Sequence, residues 1–424
     1  MAQARSQRAP AACLVNAERL WQRLMALARC GATAGGGVDR QALSAEEIES
    51  WHVMIGWAKA AGLEPATDAA GNLFIALPGL DREAPPVLAG SHLDSQPGGG
   101  RFDGVYGVLA ALEVLTVLAE QGVRPPMDIV CVAWMNEEGS RFAPGMMGSE
   151  AFAGVRTLES VRSARDADGV SVGGALDALH AAFPSLRRRP LGFPLKAYVE
   201  AHIEQGPVLE AEGRVIGVVT GIQGKKTFDV VIDGERGHAG TLAMAGRRDA
   251  LAAFARIAAA LYSEVGGHDD AVKFTIGRLQ VEPNAPSVVP ERVTLRIDLR
   301  HPDNGVLDFL GQRLIALCGM HAAPCKATAT QLVDAPSNAF DSALQAAIAM
   351  AAQQLGEPHM PLLSAAGHDA RHMAALCPSA MIFIPCRGGV SHAAHEWAEP
   401  AHVAAGADVL LRVLRPYAGC GDGA

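Results

Sequence analysis

The stretch PVLAGSHLDSQPGGGRFDG, residues 86–104, decides how this chain folds. Its first five residues are an apolar run, after which polarity switches at once to Ser91, His92 and Asp94. A short apolar run that ends this way predicts a buried strand. The glycines of GGGRFDG let the backbone turn sharply, and they present Asp103 just ahead of GVYGVLAALEVLTVLAEQG (104–122). That segment is apolar on a wide face and stops at Gly122, which can supply a left-handed cap, so it predicts a helix. Strand, polar loop and helix in succession indicate an α/β sheet, whose ligands gather at the carboxyl ends of the strands.

Three more runs repeat the pattern. MDIVCVAWM (127–135) leads into Asn136, Glu137, Glu138 and Gly139; AYVEAHIEQG (197–206) carries His202 and Glu204 near its end; AMIFIPC (380–386) leads through Arg387, Gly388, Gly389 and Val390 to Ser391 and His392. Four strand ends with the same residue types imply one shared site. A lone strand-end histidine is more often structural, and two adjacent glutamates are more often a solvated turn. The repetition outweighs both bland readings.

Residues 213–330 change character. Strand-like GRVIGVVTGI and TFDVVIDG precede helix-like RRDALAAFARIAAALY (247–262); strand-like AVKFTIGRLQV and RVTLRIDLR (292–300) precede helix-like NGVLDFLGQRLIAL (304–317). This order suits a small sheet with helices on one face. The expected organisation is therefore a split first domain, 1–212 with 331–424, interrupted by a second domain at 213–330. Two domains also suit 424 residues, since single cores stop growing near roughly 250–300 residues.

Composition narrows the function. With 36 Lys and Arg against 45 Asp and Glu, the net charge of −9 argues against nucleic-acid binding. LRRRP (186–190) is the only dense basic run, and a solvated loop ahead of a strand is its expected form. No stretch reaches the ~18 uncharged apolar residues of a membrane span, and the N-terminus lacks the features of a secretory signal, so a cytoplasmic location is expected. Eight cysteines lie scattered without a CxxC pair, as reduced core thiols would.

His92, Asp94, Asp103, Glu137, Glu138, His202 and His392 form an imidazole and carboxylate set without thiolates, suited to Zn²⁺, Mn²⁺, Ni²⁺ or Co²⁺ in a catalytic centre. If two ions sat about 3.5–4 Å apart, one carboxylate would bridge them. Asp103 is the natural bridge. Side chains of consecutive strand-end residues point different ways, so Glu137 and Glu138 should differ in task, one coordinating and the other acting as general base. Asp94, two residues after His92, could hold the imidazole's other nitrogen.

The motifs GSHLDSQPGGGRFDG (90–104), NEEGSRFAPGMMGSEAFAG (136–154), HIEQGPVLEAEG (202–213), GHAGT (237–241), DLRHPD (298–303), GHDA (367–370) and SHAAHEW (391–397) follow one another along the chain. Together they resemble the hydantoinase/carbamoylase branch of the M20 metallopeptidase-like amidohydrolases, over about residues 71–400. That branch includes N-carbamoyl-L-amino-acid hydrolases, β-ureidopropionases and allantoate amidohydrolases. The resemblance implies a two-domain α/β architecture, in which a mixed-sheet catalytic domain carries an inserted α+β, ferredoxin-like domain for dimerisation and as a lid. It implies two divalent metal ions, Zn²⁺ foremost, with His92, Asp103 and His202 holding one and Asp103, Glu138 and His392 the other. Glu137 then acts as general base and Asp94 supports His92. Gln205 matches a polar position lining the site, and Arg300 matches the arginine that pairs with the substrate carboxylate, a task suited to a guanidinium. His238, in GHAGT, matches a histidine that reaches the partner subunit's site and stabilises the oxyanion.

Three departures from the family pattern bear on the substrate. In VEPNAPSVVPERV (281–293), Ser287 stands where many relatives carry a substrate-contacting asparagine, and a hydroxyl cannot make the same paired contact. Asn284 is the candidate to compensate. HAGTLAM (238–244) lacks a proline of the family's version, and SHAAHEW keeps His392 while adding His395, a supporting or surface group before a ligand. The implied activity is cleavage of an N-carbamoyl-L-amino acid or N-carbamoyl-β-alanine to the free amino acid, ammonia and carbon dioxide, by a homodimer acting on a small carboxylate-bearing ureido substrate with no nucleic-acid or membrane partner. The alternatives are an allantoate-type hydrolase, or an aminoacylase or dipeptidase-like relative. A binding or scaffold protein on a decayed fold is the non-enzymatic alternative, and the complete metal set argues against it.

Overall fold

The computed structural model describes residues 14–420. Its contacts divide the chain into two compact units, one reaching Thr220 and resuming at Phe340, the other Gly221–Ala339.

The larger unit is built on a mixed sheet whose strands are β1 (Glu64–Thr67), β2 (Leu73–Leu77), β3 (Val87–His92), β4 (Ile129–Trp134), β5 (Arg187–Arg188), β6 (Ala197–Ile203), β7 (Ile216–Ile222), β8 (His359–Ser364) and β9 (Ser379–Ile384). They lie in the order β7-β9-β6-β3-β4-β2-β1-β5, with β8 alongside β7. The four central strands β9, β6, β3 and β4 are mutually parallel. Every residue of these four is buried, as expected of strands covered on both faces. Being parallel, they deliver all their carboxyl ends, and the polar residues that follow, to one edge of the sheet.

Helix Val105–Glu120 runs back from that edge and is buried along nearly its whole length, with Gly122 left-handed just beyond its end. Helix Pro400–Leu414 packs against it. Each fully buried Leu or Val in this layer contributes roughly 1.5–3 kcal/mol of transfer free energy. Six of the seven described cysteines are buried, Cys420 is partly so, and all seven are unpaired; Cys13 lies outside the described residues.

The smaller unit carries an antiparallel sheet in the order Lys273–Glu282, Arg292–His301, Gly224–Asp233, Lys326–Ala335. Helices Ala250–Glu264 and Asn304–His321 cover one face, where Val230, Leu295 and Ile297 share a core with Ile257, Leu310 and Leu314. Asp249 and Asp303 cap their N-termini through side-chain acceptors. Chain order and strand order together are ferredoxin-like.

The boundaries 212/213 and 330/331 expected from sequence are displaced to 220/221 and 339/340. Ile216–Ile222, read above as the insert's first strand, instead pairs antiparallel with β9 in the large sheet, Val218 opposite Ile382. Its continuous apolar sequence suits that buried position. The insert's fourth strand is Lys326–Ala335, whose Ala, Thr and Gln residues lack the apolar alternation that would announce it.

Candidate functional site

At the carboxyl edge of the four parallel strands, the Asp103 carboxylate is the centre of the cluster. Its Oδ1 lies 3.2 Å from His202 Nε2 and 3.6 Å from His92 Nε2. Its Oδ2 lies 3.2 Å from His392 Nε2, and that nitrogen is 3.4 Å from Glu138 Oε2. Each oxygen thus serves a separate set, His92 with His202 or Glu138 with His392, and each set with Asp103 has its donor atoms within 4.8 Å of one another. The imidazole tautomers suit coordination. His92 Nδ1 sits 3.0 Å from the Asp94 carbonyl and His202 Nδ1 2.8 Å from the Ile203 carbonyl. A carbonyl only accepts, so in neutral rings both Nδ1 atoms carry the proton and both Nε2 lone pairs face Asp103. The donor set therefore fits divalent cations.

Local backbone geometry creates this arrangement. Gly104 adopts φ +66°, and a Cβ there would lie 2.3 Å from the His92 ring, so only glycine lets Asp103 approach. Asn136, Gln205 and His392 all take left-handed φ values between 54° and 58°, uncommon for non-glycine residues and typical of functional loops. The turn at Asn136 separates the two glutamates. Glu137 Oε2 faces His92 Nε2 at 3.6 Å, whereas Glu138 Oε2 faces His392 and accepts Gln96 Nε2 at 2.8 Å. Burial pushes the Glu137 carboxyl well above its usual range against the pull of His92, and burial with the Asp103 charge pushes Glu138 up to about 7. Burial opposes ionisation of Asp103 too, but the three imidazoles around it, protonated when no cation holds them, prevail and hold it well below the ordinary carboxylate range.

Asp94 works chiefly through its backbone and its neighbours. Its carbonyl is closer to His92 Nδ1 than its carboxylate, which lies 3.5 Å away. The carboxylate accepts the N–H groups of Glu137 at 3.2 Å and Glu138 at 3.1 Å, so it fixes both glutamates at once. Gln205 Nε2 donates to Asp103 Oδ2 at 2.8 Å.

Several supporting groups escaped the sequence reading. Glu396 is buried; its Oε1 accepts the N–H groups of Phe102 and Asp103, and its Oε2 lies 3.1 Å from Ser391 Oγ. Arg40, also buried, donates Nε to the Leu93 carbonyl at 2.7 Å and Nη1 to those of Leu27 and Cys30, pinning the segment between His92 and Asp94. In GHDA, a motif quoted above without a role, the His368 ring packs 4.5 Å from that of His202, and burial together with that neighbour keeps His368 neutral. A third donor set, Glu200 with His202 and His368, shares His202. Glu200 already accepts from Ser91, Tyr198 and the Ala370 N–H, so it stands as support behind the cluster. The adjacent motif aspartate, Asp369, accepts Ser149 Oγ.

A profile of peptidase family M20/M25/M40 matches residues 88–415. The chain belongs to that family. An N-carbamoyl-L-amino-acid amidohydrolase of Rhizobium meliloti is 39% identical over 405 residues, covering 94% of this chain and 96% of the relative. The allantoate amidohydrolase of Bacillus subtilis is 35% identical, over 92% of this chain and 94% of its own. A crystallised amidase of the hydantoinase/carbamoylase family from Burkholderia multivorans superposes with a TM-score of 0.87 at 42% identity, covering 96% of this chain and 99% of its own. Membership of the M20/M25/M40 family, in its hydantoinase/carbamoylase branch of amidohydrolases, agrees with a divalent-metal centre built from these donor sets. Among the described residues no helix is long and apolar enough to cross a membrane.

The expected residues His238, Ser287, Asn284 and Arg300 lie in the smaller unit. His238 is exposed on a two-stranded ribbon, opposite Val288, and its Nδ1 accepts the Gly240 N–H at 3.0 Å, which leaves Nε2 as the protonated nitrogen of the neutral ring. The Ser287 carbonyl accepts the Ala239 N–H, joining Ser287 to that ribbon. Asn284, at φ +52°, sits in the loop leading to it. Arg300 is elsewhere, near the far end of strand Arg292–His301, with Nε donating to Asp298 Oδ1 at 2.7 Å. His395 is exposed, and its neighbour Glu396 is the buried group of SHAAHEW.

Proposed function

We propose that this chain hydrolyses the ureido C–N bond of an N-carbamoyl amino acid, with water as co-substrate, to the free amino acid, ammonia and carbon dioxide. One observation supports this above the others: the Asp103 carboxylate offers one oxygen to each of two donor sets while Glu137, outside both, faces the same cluster. His92, Asp103 and His202 would hold one divalent cation and Asp103, Glu138 and His392 a second, Zn²⁺ in first place with Mn²⁺, Co²⁺ or Ni²⁺ as substitutes. Such a pair supplies Lewis acidity, which lowers the pKa of a water and polarises the substrate carbonyl.

The chain's own groups do the rest. Glu137 accepts the proton of the attacking water and returns it to the leaving nitrogen, and its raised proton affinity suits both halves of that task. Asp94 keeps Glu137 and Glu138 in their divergent positions through their N–H groups. Arg300 pairs with the substrate carboxylate and so sets its distance from the scissile carbon; Ser287 and Asn284 take the place of the family's asparagine beside it. His238 donates from Nε2 to the oxygen on which negative charge develops.

His238, on its separate two-stranded ribbon, and Arg300 lie toward opposite ends of strand Arg292–His301. The His238 ribbon leaves from the Arg292 end, and Arg300 lies eight residues farther along that strand, about 26 Å at ~3.3 Å per residue. A carbamoyl amino acid is far shorter. This supports a homodimer in which each site takes Arg300 from one subunit and His238 from the other.

The test is ammonia release by metal-loaded protein from N-carbamoyl-α-amino acids, N-carbamoyl-β-alanine, allantoate and N-acyl amino acids. Ammonia from the N-carbamoyl acids is expected. Ammonia from allantoate alone would favour the allantoate-type alternative, and carboxylic acid released from N-acyl substrates alone would favour an aminoacylase.

A further inference from the structure

We propose that a cleft at the β2-β1-β5 edge of the large sheet is a second ligand site, for a compact dianion carrying a flat apolar group. The cleft has a volume of about 300 Å³ and none of its lining residues belongs to the cluster around Asp103. That volume is at the small end of the range typical of small-molecule pockets.

Charge is the first argument. In a chain with a net charge of −9, this one cleft is walled by Lys59, Arg82, Arg187 and Arg189 against a single carboxylate, Glu64. Arg82 already takes that carboxylate, donating Nη2 to Glu64 at 2.8 Å and Nε to Asp128 at 2.9 Å. Lys59, Arg187 and Arg189 form no ion pair among the described residues. Arg189 is half-buried with its guanidinium 3.9 Å over the Phe193 ring; burial weighs against its charge, the Asp128 carboxylate supports it, and Arg187 and Arg82 add repulsion. Lys59, Arg82 and Arg187 are exposed and Arg189 half-buried, so like charges gather at the cleft mouth where an anion would relieve their mutual repulsion. Two guanidinium groups and an ammonium suit a doubly charged phosphate or dicarboxylate, since arginine grips such groups through paired N–H donors.

Shape is the second. The cleft floor is apolar: Leu63 and Phe74 are buried beneath it and Pro65 is partly exposed, so a small flat group fits against Pro65 and the methylene stems of the cations. The basic run 186–190 is therefore more than a solvated loop: Leu186 is buried, Arg187 and Arg188 pair with β1, and Arg187 and Arg189 both face the cleft.

The probes are phenyl phosphate, phthalate and uncharged benzyl alcohol, titrated calorimetrically into metal-loaded protein at low salt. Phenyl phosphate is expected to bind, to weaken as salt rises, and to bind at least about tenfold more weakly to the Arg187→Gln/Arg189→Gln variant. That variant should melt at the wild-type temperature and keep its ammonia-releasing activity; Arg189→Gln alone serves if the pair does not fold. Phthalate binding as well as phenyl phosphate identifies a dicarboxylate-tolerant site, and a preference for phenyl phosphate identifies a phosphate site. Absence of binding at millimolar phenyl phosphate, equal binding of benzyl alcohol, or undiminished binding to the variants would overturn the proposal, the last by placing the anion at the metal centre.

Discussion

Ser391 donates its hydroxyl to Oδ2 of Asp103 at 2.7 Å, and so ties the loop that carries His392 to the carboxylate His392 faces. Glu396 Oε2 lies 3.1 Å from the same hydroxyl oxygen, and its Oε1 accepts the backbone N–H groups of Phe102 and Asp103, so one buried carboxyl braces both loops. Ser391→Ala removes the link and leaves the donor set itself unchanged. Metal retention, measured by competition with a chelator, is expected to weaken about 10–100-fold, the usual cost of losing a group that orients a ligand. Unchanged retention would show that the link does not position Asp103.

Gly104 gives a steric prediction. Gly104→Ala places a methyl group 2.3 Å from the His92 ring at a residue with φ +66°, so His92 or the Asp103 turn must move. The strain alone should cost roughly 1–3 kcal/mol. Thermal melting and metal content are expected to fall together, and a variant with normal metal content and activity would contradict the close packing described.

Much of this site is legible in the sequence because buried parallel strands are written as apolar runs, and their ends stand out where His92, Glu137, His202 and His392 follow. The braces are not legible. Glu396 meets Asp103 across some 290 positions of chain, and nothing in SHAAHEW distinguishes it from a surface glutamate beside the more conspicuous His395. The expectation that Asp94 holds the second nitrogen of His92 does not reveal that the strand stops at His92, which turns the Asp94 carbonyl to that nitrogen and its carboxylate to the glutamate N–H groups. The insert's last strand was missed because Ala-Thr repeats carry no apolar alternation, and Ile216–Ile222 was misassigned because an apolar run does not reveal which sheet it joins.

Stability should depend on pH through Glu47. Burial, followed by the nearby Asp94 charge, raises its carboxyl from 4.5 to about 8. The folded state therefore binds more protons than the unfolded one between those values, and the stability from this residue falls as pH rises through that window. Glu47→Gln cannot ionise, so it should match the wild type at acidic pH and exceed it above pH 8 by roughly 1–3 kcal/mol. Denaturant unfolding at both ends of the window reads this directly; parallel wild-type and variant curves would contradict it.

The two-subunit reading of the site makes a complementation prediction. His238→Ala and Glu137→Gln homodimers should each be inactive, while mixed dimers should regain activity, because one of their two sites combines an intact Glu137 with an intact His238 from the other subunit. Mixtures that stay inactive after exchange has been verified would assign both residues to the same subunit's site.

The central claim is that Glu137 moves the proton without holding the metal, and Glu137→Gln tests it most directly when bound metal and ammonia release are measured on the same preparation. The account predicts unchanged metal content with turnover reduced about 10²–10⁴-fold. Full turnover in this variant, or loss of turnover accompanied by loss of metal, would contradict it.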